Sequence, residues 1–338
     1  VLARLVVAAA IVGVFGIGTA AMAGWRAVQR PLNLPTEGVW LEVQPGSSLS
    51  AVSRQLAERG LFSSPRLLSL FGRLRGDATS IRAGEYLLKG DLTAASLLDR
   101  LVAGDVYLHQ LTIIEGWRFS DLLQAVRAHP AISASSTEVD DIMSQLGSPG
   151  VHPEGQFAPD TYSFPRGTSD IEILEQAHRA MIERLDAVWA SRSTTAAVDT
   201  AYEALILASI IEKETALASE RPQISGVFSR RLQRGMRLQT DPTVIYGLGE
   251  AFDGNLRRAD LNRDTPYNTY TRRGLPPTPI ALPGLASLQA AVDPDDGESL
   301  YFVATGEPDG SHDFSATLEE HNQAVARYVR RLRARDAE

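Results

Sequence analysis

The sequence predicts an α+β protein: an N-terminal apolar helix, small α/β modules, then a mainly helical region with a small sheet. Three observations predict this. Leu5 to Gly24 runs LVVAAAIVGVFGIGTAAMAG without a charge. A strand–turn–helix frame occurs twice in the first part of the chain. Further on, Ala204, Leu205, Ile206, Leu207, Ala208, Ile210 and Ile211 make a helix apolar on nearly every side, and such a helix belongs in a core.

Composition narrows the function classes. With 338 residues and 44% hydrophobic content, the chain can bury a sizeable core, enough for two domains and a tail. A net charge of −8 gives nucleic-acid binding no overall electrostatic support. The absence of cysteine excludes disulfides, thiol chemistry and cysteine-ligated metals. Six scattered histidines form no HExxH or comparable pair, so neither a metal nor another cofactor is expected.

From the start, the apolar run is long enough to span a bilayer as a helix, with Arg4 before it and Trp25, Arg26 and Arg30 after it. Ala21-Met22-Ala23 also matches an A-x-A signal-peptidase site, but the run exceeds the usual signal core, which favours a retained transmembrane anchor over residues 1–24. Residues 25–37, with Pro31 and Pro35, read as a linker. Val39–Val43 reads as a strand, Pro45-Gly46 as a turn, and Ser47 or Ser48 as the cap of a helix closed by Gly60. A second helix is expected over Pro65–Leu74, a returning strand at Gly84–Leu88, and a third helix from Leu92 to Val102. The frame Val43-x-x-Gly46-x-x-Leu49-Ser50-x-Val52-x-x-x-Leu56 is then echoed by Ile113-x-x-Gly116-x-x-Phe119-Ser120-x-Leu122-x-x-x-Val126. Modules of this βααβ type resemble LysM-like glycan-binding units, which places a LysM-like region at 38–128.

His129–Gly155 is Ser-rich and reads as a helix between loops. Pro153–Gly167 (PEGQFAPDTYSFPRG) reads as irregular but ordered: Pro and Gly oppose a regular element, while Phe157, Tyr162 and Phe164 oppose a free loop. Its aromatics and the carboxylates Glu154 and Asp160 suit a sugar site, where ring faces stack and hydroxyls meet carboxylates, and suit equally a loop stapled to the core by its aromatics. Ser169 starts a helix to about Trp189, and Thr194 or Thr195 precedes the central helix. After it, Ser219 reads as an N-cap, Pro222 suits a first turn and Gly235 a left-handed end. Arg230, Arg231 and Arg234 read as the solvated basic end of that helix. Asp264–Gly284 is a second ordered loop, stiffened by prolines and carrying Tyr267, Asn268, Thr269 and Tyr270. Ser287–Ala291 is a short helix, Leu300–Thr305 and His312–Ser315 are partner strands, and Ala316–Arg333 is a closing helix; His312 reads as a residue that orients its loop.

The chemistry concentrates at the end of the central helix, in Glu212-Lys213-Glu214. Residues two apart on a helix point roughly 200° away from each other, so the two glutamates cannot share one cleft. Glu214 continues the apolar stripe of Leu207, Ile210 and Ile211, whereas Glu212 follows Leu205, Ala208 and Ser209. A carboxylic acid against an apolar wall keeps its proton near neutrality, as a general acid requires. A glycoside hydrolase normally needs a second carboxylate, for which Glu154 and Asp241 are candidates. A lytic transglycosylase needs only one, because a hydroxyl of the substrate attacks intramolecularly.

IIEKETALASER, RLQTDPTVIYGLG, YNTYTRRGLPP, EGQFAPDTY and the HDFS…HN ending resemble the MltG (YceG-like) family of endolytic murein transglycosylases over nearly the whole chain. The resemblance implies a catalytic YceG-like domain over 129–338, with the second Glu of EKET, Glu214, as the catalytic acid. Glu154, Glu212, Gln239, Asp241, Tyr267 and Asn268 lie in the motif segments as substrate-binding candidates. It further implies a single-pass inner-membrane protein with its catalytic domain in the periplasm. Its substrate would be nascent peptidoglycan, cut at MurNAc–GlcNAc bonds to leave 1,6-anhydro-MurNAc ends and limit glycan length, with peptidoglycan synthases as neighbours. The chain departs from the family pattern at Gln156, where a bulkier aromatic is expected. A muramidase-type hydrolase and an anchored, non-catalytic peptidoglycan-binding scaffold are the rival readings.

Overall fold

The computed structural model describes residues 2–335. It mixes helices with three two-stranded sheets among those residues and divides into two compact units. The first comprises residues up to His109 together with Ser163–Gly167; the second comprises Gln110–Tyr162 and the chain from Thr168 onward.

The first unit begins with α1 (Leu2–Val28), which continues through Trp25 and contains the one helix span among the described residues long and apolar enough to cross a membrane. Strand β1 (Val39–Val43) leads into α2 (Leu49–Glu58), where the Ser48 hydroxyl accepts the Ala51 amide at 3.2 Å as an N-cap. Pro65 opens α3 (Pro65–Arg75), and Gly76 ends it in the left-handed conformation. Strand β2 (Gly84–Leu88) returns antiparallel to β1, pairing Val39 with Leu88 and Val43 with Gly84. A capping box of Thr93 and Ser96 then starts α4 (Ala94–Ala103). Leu41, Leu49, Leu56, Leu68, Tyr86 and Leu97 fill the core of this β–α–α–β unit, and Val28 at the end of α1 is buried in the same core. Gly72 allows the close approach of α3 to α2, since a Cβ there would lie 2.2 Å from a Leu49 methyl.

Strands β3 (Leu108–Thr112) and β4 (Thr161–Pro165) pair with each other, and the division between the units runs through both. In the second unit, α5 (Phe119–Ala128) and the short α6 (Ile142–Gln145) precede the long α7 (Asp170–Ala190), which Ser169 caps in a box with Glu172. At its centre lies α8 (Ala201–Glu214), packed by α9 (Arg221–Gln233), α7 and α12 (Leu285–Val292). Leu205, Leu207, Ile210 and Ile211 are all fully buried, each stabilising the fold by roughly 1.5–3 kcal/mol. Between α9 and α12 come α10 (Asp241–Leu248), α11 (Arg258–Asn262) and the irregular segment carrying Tyr267–Pro283. Strands β5 (Tyr301–Ala304) and β6 (His312–Ser315) pair antiparallel beneath α13 (Leu318–Arg335).

The repeated frame is real at the level of local structure. Gly46 and Gly116 both have φ 79°, the frame's apolar residues are buried in both copies, and a helix starts at Leu49 and at Phe119. The copies then diverge, because β1 closes on β2 while β3 pairs with the distant β4.

Several expectations need correction. Pro153–Gly167 is not wholly irregular: Tyr162 and Phe164 alternate inward along β4, a period-2 signal masked by the flanking prolines. The central helix starts a few residues beyond Thr194 and Thr195 and is capped by Thr200, its hydroxyl accepting from Glu203 N. Ser219 does not cap α9, because Ala218–Glu220 forms a 3₁₀ turn that runs directly into it. Of the three arginines read as a solvated helix end, Arg234 is exposed at the C-cap, but Arg230 and Arg231 are not solvated. Arg231 is buried and donates to the carbonyls of Leu300 and Leu238, both at 2.7 Å, and Arg230 donates to those of Ser299 and Asp295.

Candidate active site

Glu214 is the last residue of α8, half-buried where the apolar helix meets the N-terminus of α10. Desolvation pushes its carboxyl up to about 7, and the neighbouring Asp241 carboxylate pushes the same way. Two groups oppose this: the Thr240 hydroxyl, which donates to Glu214 Oε1, and the Arg231 guanidinium. The acid is therefore held near the midpoint of its titration at neutral pH, where it can give up a proton and take one back.

Thr240 is held for this task by its neighbours. It is the N-cap residue of α10, yet its hydroxyl makes no capping bond within that helix. Its amide is accepted by Thr269 Oγ1 at 3.1 Å, and Thr243 Oγ1 donates to its carbonyl at 2.8 Å. Gln239, just before it, has φ 53°, the one positive φ outside glycine among the described residues. Its amide donates to Thr269 O at 3.2 Å. This turn aims Thr240 at Glu214 and leaves the Gln239 side chain exposed. A non-glycine residue in that region costs on the order of 1–3 kcal/mol and persists only where surroundings enforce it. Asp241 is also exposed and accepts from Tyr270 Oη at 2.5 Å. Burial and the Asp241 carboxylate both raise the Tyr270 phenol, so it stays protonated as a donor.

Glu212 is placed elsewhere. Its Oε2 accepts from Gly284 N at 2.9 Å and Ser287 Oγ at 2.7 Å, and its Oε1 pairs with Arg221 at 3.0 Å. These bonds tie the end of α8 to the start of α12, so the opposed orientation expected for the two glutamates holds. Lys213 donates to Gly116 O at 3.2 Å, and Gly116 N donates to Leu282 O at 2.8 Å. The turn of the second frame copy thus braces the same helix end.

The remaining candidates divide into a second carboxyl centre and a staple. Glu154, 4% exposed, accepts from Phe119 N at 2.9 Å and Tyr246 Oη at 3.0 Å, joining its loop to the N-terminus of α5 and the side of α10. Desolvation pushes it up to about 7 despite those bonds and the nearby Arg118. Tyr267 meets Tyr246 edge-on at 4.9 Å and shares a hydrogen bond with Thr278. A cavity of about 950 Å³ opens beside Glu154, Arg118 and Tyr246. Its lining does not include Glu214. Asn268 is fully buried; its amide donates to the carbonyls of Asp260, Leu261 and Arg263, and its Oδ1 accepts from Tyr270 N. It shapes the loop that carries Tyr267 and Tyr270. Gln156 is buried with its carbonyl on His178 Nδ1, so no sugar face meets it. His312 bonds to Glu220 through its ring at 2.7 Å and through its amide at 2.8 Å, consistent with the loop-orienting reading.

Sequence reasoning missed Thr240, Arg231 and Tyr246 as parts of the site. Thr240 had a signal, since a threonine directly before Asp-Pro is a recognisable N-cap, but nothing local showed that its hydroxyl serves another helix. Arg231 had no usable signal, because burial of an arginine depends on carbonyls contributed by Leu300, just before β5, and the 237–238 turn.

Comparison with known proteins gives the family. A sequence model described as the YceG-like family matches residues 41–327. The chain is 30% identical over 308 residues to the endolytic murein transglycosylase of Bacillus subtilis, covering 86% of this chain and 84% of that protein. It is 26% identical over 326 residues to the protein of the same name from Streptococcus pneumoniae serotype 2, covering 86% of this chain but 58% of that longer protein. A crystal structure of a yceG-like protein from Listeria monocytogenes superposes with a TM-score of 0.53 at 29% identity, covering 86% of this chain and 99% of the other. With a match that includes both the Glu214 helix end and the Thr240 turn, the chain belongs to the YceG-like family.

Proposed function

We propose that the protein is a lytic transglycosylase acting on peptidoglycan, with Glu214 as its acid and base. The observation that carries this reading is a half-buried carboxyl raised to about 7 at the tip of a core helix, in a chain similar to named murein transglycosylases. In this reading protonated Glu214 gives its proton to the bridging oxygen of a MurNAc–GlcNAc bond, and that bond breaks. The carboxylate so formed is stabilised by the Thr240 hydroxyl and by Arg231. It then takes the proton of the C6 hydroxyl of MurNAc as that oxygen bonds to C1, leaving a 1,6-anhydro end. Proximity supplies much of the rate, with effective molarities of about 10⁵–10⁸ M for well-aligned intramolecular attack. Asp241 and Tyr270 beside Glu214, and the exposed Gln239 next to Thr240, are the groups to meet sugar hydroxyls. Cutting within nascent strands would limit glycan length near the synthases.

The apolar α1 is read as a single-pass anchor in the inner membrane, with the catalytic unit on the periplasmic side; its length and exposed apolar surface support this. The β–α–α–β order of the first unit supports a LysM-like glycan contact.

Mass analysis of the products from defined nascent glycan strands tests the reading. Anhydro ends are expected. Reducing ends, one water heavier, would assign a muramidase-type hydrolase, for which Asp241 beside Glu214 is the second carboxylate. Equal inactivity of the wild type and Glu214→Gln would leave a peptidoglycan-binding scaffold.

A further inference from the structure

The first unit carries an amphipathic surface that the catalytic reading does not use. Along α3, Leu67, Leu70, Phe71 and Leu74 follow i, i+3, i+4, i+7 spacing and form one apolar stripe. Leu68 and Gly72 face the core instead. The inner edge of the stripe packs on the last turns of α1: Phe71 meets Trp25 edge-on with centroids 5.9 Å apart, and Leu67 lies beside Gly24. Its outer edge is open, with Leu70 51% and Leu74 80% exposed. A leucine that open on a short helix is left facing something other than this chain's core.

Beside that edge lies a cavity of about 460 Å³ lined by Ser50, Arg54, Arg66, Ser69, Leu70 and Arg73. None of these three arginines has an ion-pair or hydrogen-bond partner for its side chain among the described residues, whereas Arg75 on the same helix is paired with Asp77 and Asp99. Three uncompensated guanidiniums around one hollow attract an anion, and guanidinium geometry suits phosphate oxygens. The position decides which anion. Val28 is buried in the core of this unit, so the end of α1 is fixed to it, and α3 lies at the level of residues 24–28. An apolar run of about twenty residues fills the hydrocarbon thickness of a bilayer, which brings that level to the headgroups.

We propose that α3, with Arg54, Arg66 and Arg73, forms a binding site for anionic phospholipid, taking the headgroup phosphate into the arginine-lined hollow while Leu70 and Leu74 enter the acyl boundary. The proposal rests on α1 being a retained membrane anchor. It gives the first unit a role besides glycan contact: it seats the anchor against the leaflet, with a preference for acidic lipid.

The chain has no cysteine, so Leu74→Cys gives one labelling site in the full-length protein. That protein is reconstituted in vesicles of phosphatidylcholine with and without phosphatidylglycerol, and a fluorophore on Cys-substituted position 74 is quenched by nitroxide-bearing versions of either lipid. Stronger quenching by phosphatidylglycerol is expected, and Arg54→Gln, Arg66→Gln and Arg73→Gln should each reduce that preference roughly fivefold, the effect of one basic residue at an anionic surface. Equal quenching by both lipids, unchanged in the three variants, overturns the proposal while leaving the anchor intact. A shift of the fluorophore by inorganic phosphate in lipid-free micelles, as large as that given by phosphatidylglycerol, assigns the hollow to a soluble phosphate and also overturns it. Failure of the protein to float with neutral vesicles overturns the anchor, and this site with it.

Discussion

The Thr240 hydroxyl, at the N-cap of α10, donates to the Glu214 carboxylate at the C-terminus of α8 instead of capping its own helix. The bond stabilises the ionised acid, and the adjacent Asp241 carboxylate works against it. Two consecutive residues thus set the proton affinity of one group from opposite directions.

Opposite shifts of the pH–rate profile follow. Glu214 must be protonated to start the reaction, so activity should fall as pH rises through about 7. Thr240→Val removes a group that lowers the Glu214 pKa and should move this alkaline limb upward. Asp241→Asn removes a group that raises it and should move the limb downward. Profiles of kcat/KM for the two variants check the signs, and shifts in the same direction would reject the arrangement.

The two glutamates of α8 should separate by readout. Glu214→Gln should abolish cleavage while keeping the melting temperature below about pH 6, where the neutral amide replaces a carboxyl that is mostly protonated. Glu212→Gln removes the buried carboxylate beside Arg221 and leaves it only the more exposed Glu115 at 3.7 Å, and breaking a buried pair costs about 3–5 kcal/mol. It should lower the melting temperature and retain activity below it. Thermal unfolding and sacculus digestion on both variants test this.

Stability should fall from acid toward neutral pH. Glu154 and Glu214 both have folded pKa values near 7, raised by desolvation above the ordinary 4.5. Between those limits the folded state binds more protons than the unfolded state, so unfolding free energy decreases as pH rises from about 4.5 to 7. Glu154→Gln should flatten part of that slope and keep the acceptor for Phe119 N. Urea unfolding at pH 5 and pH 8 measures it.

Gly155 tests the loop that presents Glu154. It has φ 79°, and an added Cβ would lie 2.5 Å from Pro279. Gly155→Ala combines a left-handed backbone with a clash against a rigid ring, and should destabilise by at least about 1–3 kcal/mol. Denaturant midpoints should fall, and the hydrogen bond from Tyr246 to Glu154 should loosen with them.

How much was legible depended on the range of the cause. Glycine turns, caps and apolar periods act within one or two helical turns, so the strands at Val39 and Gly84, the repeated frame, α7 and the apolar α8 could all be read from the chain. The identity of Glu214 as the residue on the apolar stripe was also local, because helix geometry alone separates it from Glu212. Strand β4 was hidden by its prolines, and the α8 cap went unread because which nearby threonine caps depends on where the chain enters the helix.

What the chain order by itself determined was therefore the apolar anchor-length helix, the modules behind it and the acid at the end of the core helix, all of them consequences of spacing. Only the tertiary structure decided the partners. Arg231 is buried because the residue before β5, Leu300, supplies a carbonyl to it, Glu154 has its pKa raised by burial against α5 and α10, and Thr240 reaches Glu214 across a turn held by Thr269. Each of these is a contact between residues distant in sequence, and its energy comes from desolvation by elements whose approach no local pattern encodes.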